Sequence, residues 1–251
     1  MKSVEIFEQP DIGDEHEYHI RQAVGRDVTW HGRNGYPYQF SPQEYIDPAL
    51  PVFNQAAFTL KIGAGKFLHR GAWDWVNYNN KYAMVKMDCH LSGAGRWTEL
   101  CLSNPVKATG GVIRPDVHML GIGSDYMDGS RSVVENLSLT ANDNIPKNVL
   151  ITSGIRAWGE DIRIRNVRIT GIRGSFTPAG SLMIPYEAFG ISFGGSSQGN
   201  IVEDCYAEGS NYFSAFSSAV IGAKFVDCKA YSEDGYAGFT VYDNTKVIDC
   251  E

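Results

Sequence analysis

The sequence predicts an all-β chain wound as a right-handed parallel β-helix, a solenoid preceded by an irregular arm. Three observations predict it: a motif that recurs at a nearly fixed interval, short apolar runs split by Gly and Asn, and no amphipathic helix longer than three turns beyond the first fifth of the chain. Glycine is abundant, 27 of 251 residues, as a chain with many turns requires.

Residues 1–48 differ from the rest. They are rich in His, Tyr, Asp and Glu and carry Pro10, Pro37, Pro42 and Pro48, which suggests an irregular N-terminal arm or cap. Residues 49–251 form the expected solenoid. A short helix is expected near Asp47–Ala57, followed by a strand at Phe58–Ile62.

The repeat is clearest in five segments: Val134-Glu135-Asn136-Leu137-Ser138-Leu139, Ile164-Arg165-Asn166-Val167-Arg168-Ile169, Val202-Glu203-Asp204-Cys205-Tyr206-Ala207, Phe225-Val226-Asp227-Cys228-Lys229-Ala230 and Val247-Ile248-Asp249-Cys250. Each reads apolar, variable, Asn/Asp, apolar, polar, apolar. The Asn/Asp positions are separated by 30, 38, 23 and 22 residues, so one coil takes about 22 and the longer intervals carry insertions. A single coil cannot bury its apolar face, whereas stacked coils share one core. Three inward rows follow, headed by Val134, Leu137 and Leu139. The Asn/Asp column marks a sharp bend between two strands, where these residues tolerate the left-handed backbone and their side chains can hydrogen-bond along the stack.

A second strand column lies about 12 residues before each Asn/Asp. Alternation buries Ile155, Ile191, Phe216 and Phe239 there. It turns Arg156, Trp158, Ser192, Ser217, Thr240 and Tyr242 outward, a surface suited to sugar: aromatic rings stack on the C–H faces and polar groups bond hydroxyls.

At these residues the chain resembles the pectate-lyase-like superfamily of right-handed β-helices, which includes pectate lyases, polygalacturonase-like hydrolases and phage tailspikes. The phrases that carry the resemblance are Leu60-Lys61-Ile62-Gly63-Ala64-Gly65-Lys66-Phe67, Leu91-Ser92-Gly93-Ala94-Gly95-Arg96-Trp97-Thr98-Glu99-Leu100 and Val134-Glu135-Asn136-Leu137. It covers residues 51–251 and implies a polysaccharide partner on the long face. The Asn-Thr-Asp, Asp-Asp, Gly-His-Gly and Arg-Ile-Lys motifs of the hydrolases and the Trp-Ile-Asp-His phrase of pectate lyases are missing, so no catalytic residue transfers by motif.

Glycoside hydrolysis needs two carboxylates flanking the scissile bond. Glu187, Glu233 and Asp234 precede the outer column and could line one rim; Glu160, Asp161 and Asp243 follow it and could line the other. A lyase needs a basic residue beside a neutraliser of the uronate; Arg156 is the best-placed base, Arg173 a looser one, and Glu160 with Asp161 could hold Ca²⁺. A non-catalytic glycan-binding module or a structural spacer is the alternative to an enzyme.

Five cysteines without a CxxC are expected to pack as small hydrophobes, with Cys205, Cys228 and Cys250 in an inward ladder and Cys89 and Cys101 free to pair or not. No His spacing suggests a metal site. The net charge of −7 disfavours nucleic acid, and no apolar run is long enough to span a membrane. The acidic N-terminus lacks the pattern of a secretory signal; an extracellular or virion-associated setting is expected. The last coil stops at Asp249-Cys250-Glu251, and a homotrimer or another subunit is expected to cap that end.

Overall fold

The computed structural model describes residues 3–6, 27–30, 37–39, 58–62, 64–69, 84–85, 87–102, 116–123, 128–141, 145, 150–179, 182–186, 188–195, 198–210, 213–218, 222–232, 237–241 and 244–251. Among them there is no α-helix. The chain is all-β: twenty strands form one curled sheet, and β13 (Ser175–Ala179) and β14 (Leu182–Tyr186) form a separate antiparallel hairpin. The sheet is mixed. Its pairings are parallel except for one antiparallel contact, Ile151 with Arg173.

Parallel pairing sorts the strands into three columns. The first contains β1 (Ser3–Ile6), β2 (Asp27–Trp30), β4 (Phe58–Ile62), β7 (Cys89–Ser92), the opening halves of β10 (Val133–Ala141) and β12 (Arg163–Arg173), then β16 (Ile201–Glu203), β19 (Lys224–Val226) and β22 (Lys246–Ile248). The second contains β3 (Pro37–Gln39), β5 (Gly65–His69), β8 (Thr98–Leu102), the closing halves of β10 and β12, β17 (Tyr206–Ser210) and β20 (Lys229–Tyr231). The third contains β6 (Met84–Val85), β9 (Asp116–Ile122), β11 (Leu150–Trp158), β15 (Ala188–Gly194), β18 (Phe213–Ser218) and β21 (Ala237–Val241).

Three strands of the sheet, β1, β2 and β3, lie within residues 1–48. That segment was expected to be irregular, and these parts of it are not: each pairs in parallel with a strand further along the chain. The helix expected near Asp47–Ala57 lies outside the described residues.

The first and second columns meet at the Asn/Asp bend. Asn136, Asn166, Asp204, Asp227 and Asp249 all adopt left-handed backbone, with φ of 57°, 50°, 52°, 51° and 50°. Asn166 Nδ2 donates to Asn136 Oδ1 at 2.7 Å, the amide ladder expected of stacked bends. A second left-handed column, five residues earlier, escaped the sequence reading. It runs through Asp88, Arg131, Asp161, Gly199, Gly222 and Asn244. Its residue types are too varied to announce a shared conformation.

The inward rows hold. Val134, Ile164, Val202 and Phe225 are buried, as are Leu137, Val167, Cys205 and Cys228, and Leu139, Ile169 and Ala207. Ala230, in the last rung but one, is half-buried, and in the last rung Val247 is exposed and Cys250 half-buried. All five cysteines are free thiols. The ladder thiols point at main-chain carbonyls: Cys205 Sγ reaches Glu203 O at 3.3 Å, and Cys228 Sγ reaches Val226 O at 3.3 Å. Burial pushes the Cys205 thiol well above its ordinary pKa, consistent with packing rather than reactivity.

The third column bends where small residues line up. Gly154, Gly190, Ala215 and Gly238 occupy one row, and three of them face the inner row of the second column. A Cβ on Gly154 would stand 2.4 Å from Ile169 Cγ2, one on Gly190 2.4 Å from Ala207 Cβ, and one on Gly238 3.8 Å from Ala230 Cβ. Beyond this row, Phe193, Phe216 and Phe239 converge on Phe225 from the first column, with ring centroids 5.1–6.2 Å apart. The core therefore narrows to glycine and alanine on one side and fills with aromatic rings on the other.

Candidate functional site

The third column places the sequence-predicted outer row in register. Arg156 pairs with Ser192, Ser192 with Ser217, and Ser217 with Thr240. The row is not an open surface. Ser192, Ser217 and Trp158 are buried, and all six residues of β18 are buried, so both faces of that strand are covered, whereas β21 keeps Gly238 and Val241 exposed. Simple alternation assigned the row to solvent; the burial of Ser192, Ser217 and Trp158 overrides it. Arg156 and Thr240 are half-buried.

The row is also knit together internally. The Arg156 guanidinium carbon lies 4.7 Å from the centre of the Trp158 ring, and Nη1 donates to Ser192 Oγ at 3.0 Å. The indole lies against the backbone of Gly194: a Cβ there would be 2.8 Å from Trp158 Nε1. Ser214 and Thr240 share a hydroxyl–hydroxyl bond of 2.7 Å. Trp158 therefore lacks the free ring face that sugar stacking needs. Glu187, Glu233, Asp234, Tyr242 and Asp243 lie outside the described residues. Glu160 and Asp161 are exposed, and no group of three His, Cys, Asp or Glu among the described residues is arranged to hold a metal ion, so the Ca²⁺ expectation finds no cage there.

Two clusters that the sequence reading passed over stand on the other columns. The first centres on Glu135, whose side chain is only 7% exposed. In register with it are Ser92 on one side and Arg165 on the other. His90 Nε2 donates to Oε1 at 2.8 Å, Ser92 Oγ donates to the same oxygen at 3.2 Å, and Arg165 Nε donates to Oε2. Burial raises the Glu135 pKa, but the Arg165 and His90 hydrogen bonds outweigh it, and the carboxyl sits below its ordinary range. Such a group is a fixed anion and a poor general acid.

The sign of its pH linkage follows. A depressed folded-state pKa contributes stability above the unfolded carboxylate pKa, and that stability is lost as pH falls through the folded value. Glu135→Gln is expected to lose about 1.5–3 kcal/mol at neutral pH, the range for hydrogen bonds to a charged group. Its unfolding midpoint should approach that of the parent on acidification, measured by thermal unfolding across pH.

The second cluster lies on the outer face of the second column. Arg168, Tyr206 and Lys229 pair across successive rungs, as do Glu208 and Tyr231. The Arg168 guanidinium carbon lies 4.3 Å from the Tyr206 ring centre. Tyr206 donates its hydroxyl to Glu208 Oε2 at 3.0 Å, and Arg168 Nη2 stands 3.7 Å from the same oxygen. Burial and the neighbouring Glu208 carboxylate push the Tyr206 phenol above its usual pKa. Tyr231, 51% exposed, stands beside Glu208. The arrangement offers an aromatic surface, a carboxylate acceptor and a guanidinium donor within two rungs. Its signal in the sequence was the polar position two and four residues after each Asn/Asp.

An all-β chain with a curled sheet is the class that fold and surface define. No family model matches the chain, and no curated protein matches it. A crystal structure of a putative glycosyl hydrolase from Parabacteroides merdae aligns over 100% of this chain and 98% of its own, with 9% sequence identity and a TM-score of 0.36. A likeness at that level assigns neither activity nor residue roles.

Proposed function

We propose that the curled sheet is a right-handed parallel β-helix whose outer face contacts polysaccharide, with Arg168, Tyr206, Glu208 and Tyr231 as the contact surface. The observation that carries this is Tyr231, a largely exposed ring beside the carboxylate of Glu208 and one rung from the Arg168–Tyr206 stack. Flat aromatic faces with adjoining charged hydrogen-bonding groups are what sugar rings require: an apolar surface for the C–H face and fixed partners for hydroxyls. The three-column parallel pairing and the left-handed Asn/Asp bends support the helix. Glu135, held ionised by its partners, is unsuited to the general-acid role that hydrolysis needs.

A glycan array probed with the full chain tests the proposal, joined to assays for new reducing ends and for unsaturated products. Retention of glycans is expected, and Tyr231→Ala should weaken it about tenfold, a loss of about 1.4 kcal/mol. New reducing ends would add a hydrolase activity and unsaturated products a lyase activity. If no glycan is retained, the proposal fails and a structural spacer is left.

A further inference from the structure

Among the described residues, the first column carries three cations without a side-chain partner in a single outer row. Arg163 pairs in register with Ile201, Ile201 with Lys224, and Lys224 with Lys246. All three cations are exposed. Eight other Lys or Arg side chains among the described residues are engaged. Five form ion pairs, Arg96 and Arg156 lie over tryptophan rings, and Arg173 donates to a main-chain carbonyl. Like charges set directly across a strand pair repel, and Lys224 faces Lys246 with no carboxylate between them. In a chain of net charge −7, pairing for these residues would be easy to supply.

The neighbouring outer row is different in kind. Two residues along each strand, the exposed Glu203 pairs with Val226 and Val226 with Ile248, which is 39% exposed, so this row ends in two apolar side chains. A cationic row thus runs beside a short apolar one, both parallel to the direction in which the rungs stack. Rungs are spaced by about 4.8 Å, so the Lys pair is one rung apart and Arg163 stands roughly 10 Å from Lys224.

We propose that this row binds an extended anionic glycan lying along the stacking direction, with its carboxylate or sulfate groups on Arg163, Lys224 and Lys246 and its sugar C–H faces on Val226 and Ile248. The inference rests on the glycan reading above and adds the charge of the ligand and a second contact line, across the Asn/Asp bend from Tyr231. A nucleic acid is the less suitable polyanion. Three cations neutralise few phosphates, and the row offers no aromatic ring on which bases would stack.

Isothermal titration of the full chain with dextran, dextran sulfate of the same length, and a polyuronate tests it. The two anionic polymers should bind at least tenfold more tightly than dextran, and more weakly as salt is raised. The double variant Lys224→Glu/Lys246→Glu should lose at least tenfold of that affinity. Lys66→Glu/Arg96→Glu, the same charge change placed outside the row, should lose much less affinity although it breaks the Lys66–Glu99 ion pair, and Lys224→Glu/Lys246→Glu, which breaks none, should unfold close to the parent temperature. Equal binding of dextran and dextran sulfate would remove the anionic row and leave the glycan reading standing. So would equal losses in the two variants. Binding of no polysaccharide of any charge would remove both. Tighter binding of a single-stranded polynucleotide than of either anionic glycan would overturn the row as a glycan site.

Discussion

Replacing Gly190 by alanine is expected to destabilise the fold by about 3 kcal/mol or more, at the upper end of overpacking costs. The added Cβ would stand 2.4 Å from Ala207 Cβ and 2.6 Å from the Ala215 carbonyl oxygen. Neither neighbour can swing away: one is the first atom of a short side chain, the other is backbone inside the sheet. Relief requires the second and third columns to separate locally, which would disturb the rungs above and below. For a chain of this length such a loss lowers the unfolding midpoint by roughly 6–12 °C. Gly238 provides the control. It lies in the same row, yet a Cβ there would meet only Ala230 Cβ at 3.8 Å, an ordinary contact. Gly238→Ala should therefore unfold close to the parent temperature. The compensating change Ala207→Gly should restore part of the stability of Gly190→Ala, since the Ala215 oxygen remains in the way. Thermal unfolding of the three variants side by side checks the set; equal midpoints for Gly190→Ala and Gly238→Ala would contradict it.

Phe225→Ala should cost about 3–5 kcal/mol, the usual range for truncating a buried aromatic ring. Phe225 is fully buried and touches Phe193, Phe216 and Phe239, with centroids 6.2, 5.8 and 6.0 Å away. Its ring joins the first column to the third, so its removal leaves a cavity that the flanking strands cannot close without breaking register. Phe239 stacks on Phe216 at 5.1 Å but is half-buried, and Phe239→Ala should cost clearly less. Denaturant unfolding curves for both variants give the comparison. A Phe225→Ala loss no larger than that of Phe239→Ala would mean that the two rings contribute alike.

What could be read from the sequence was the part governed by repetition. The Asn/Asp positions share a backbone requirement and therefore a residue type, so Asn136, Asn166, Asp204, Asp227 and Asp249 were visible as a column. Ile155, Ile191, Phe216 and Phe239 were placed in one row by alternation, and they pair in register. The burial of Ser192, Ser217 and Trp158 was not legible, because alternation describes one strand and cannot say what lies across its outer face. The second left-handed column was hidden by its mixture of Asp, Arg, Gly and Asn.

The Glu135 cluster is an intermediate case. Glu135 and Arg165 occupy the same place in consecutive repeats, directly before the Asn. Opposite charges at one repeat position predict an ion pair between rungs, a signal present in the alignment. That the carboxylate would also be buried and joined by His90 and Ser92 needed the structure. The same holds for Tyr206, which the repeat marked only as a polar position after the bend, and for Tyr231, which lies one residue beyond the repeat.

Through-space proton contacts in an isotopically labelled full-length chain provide the most direct check on the stacking of these repeats. Contacts are expected between the side-chain amides of Asn136 and Asn166, between Val202 and Phe225, and between Phe225 and Val247. Those pairs are separated in sequence by 30, 23 and 22 residues and should give strong cross-peaks together. If these cross-peaks are absent and the same segments instead show contacts of antiparallel hairpins, the columns do not exist, and the surfaces assigned to them have no basis.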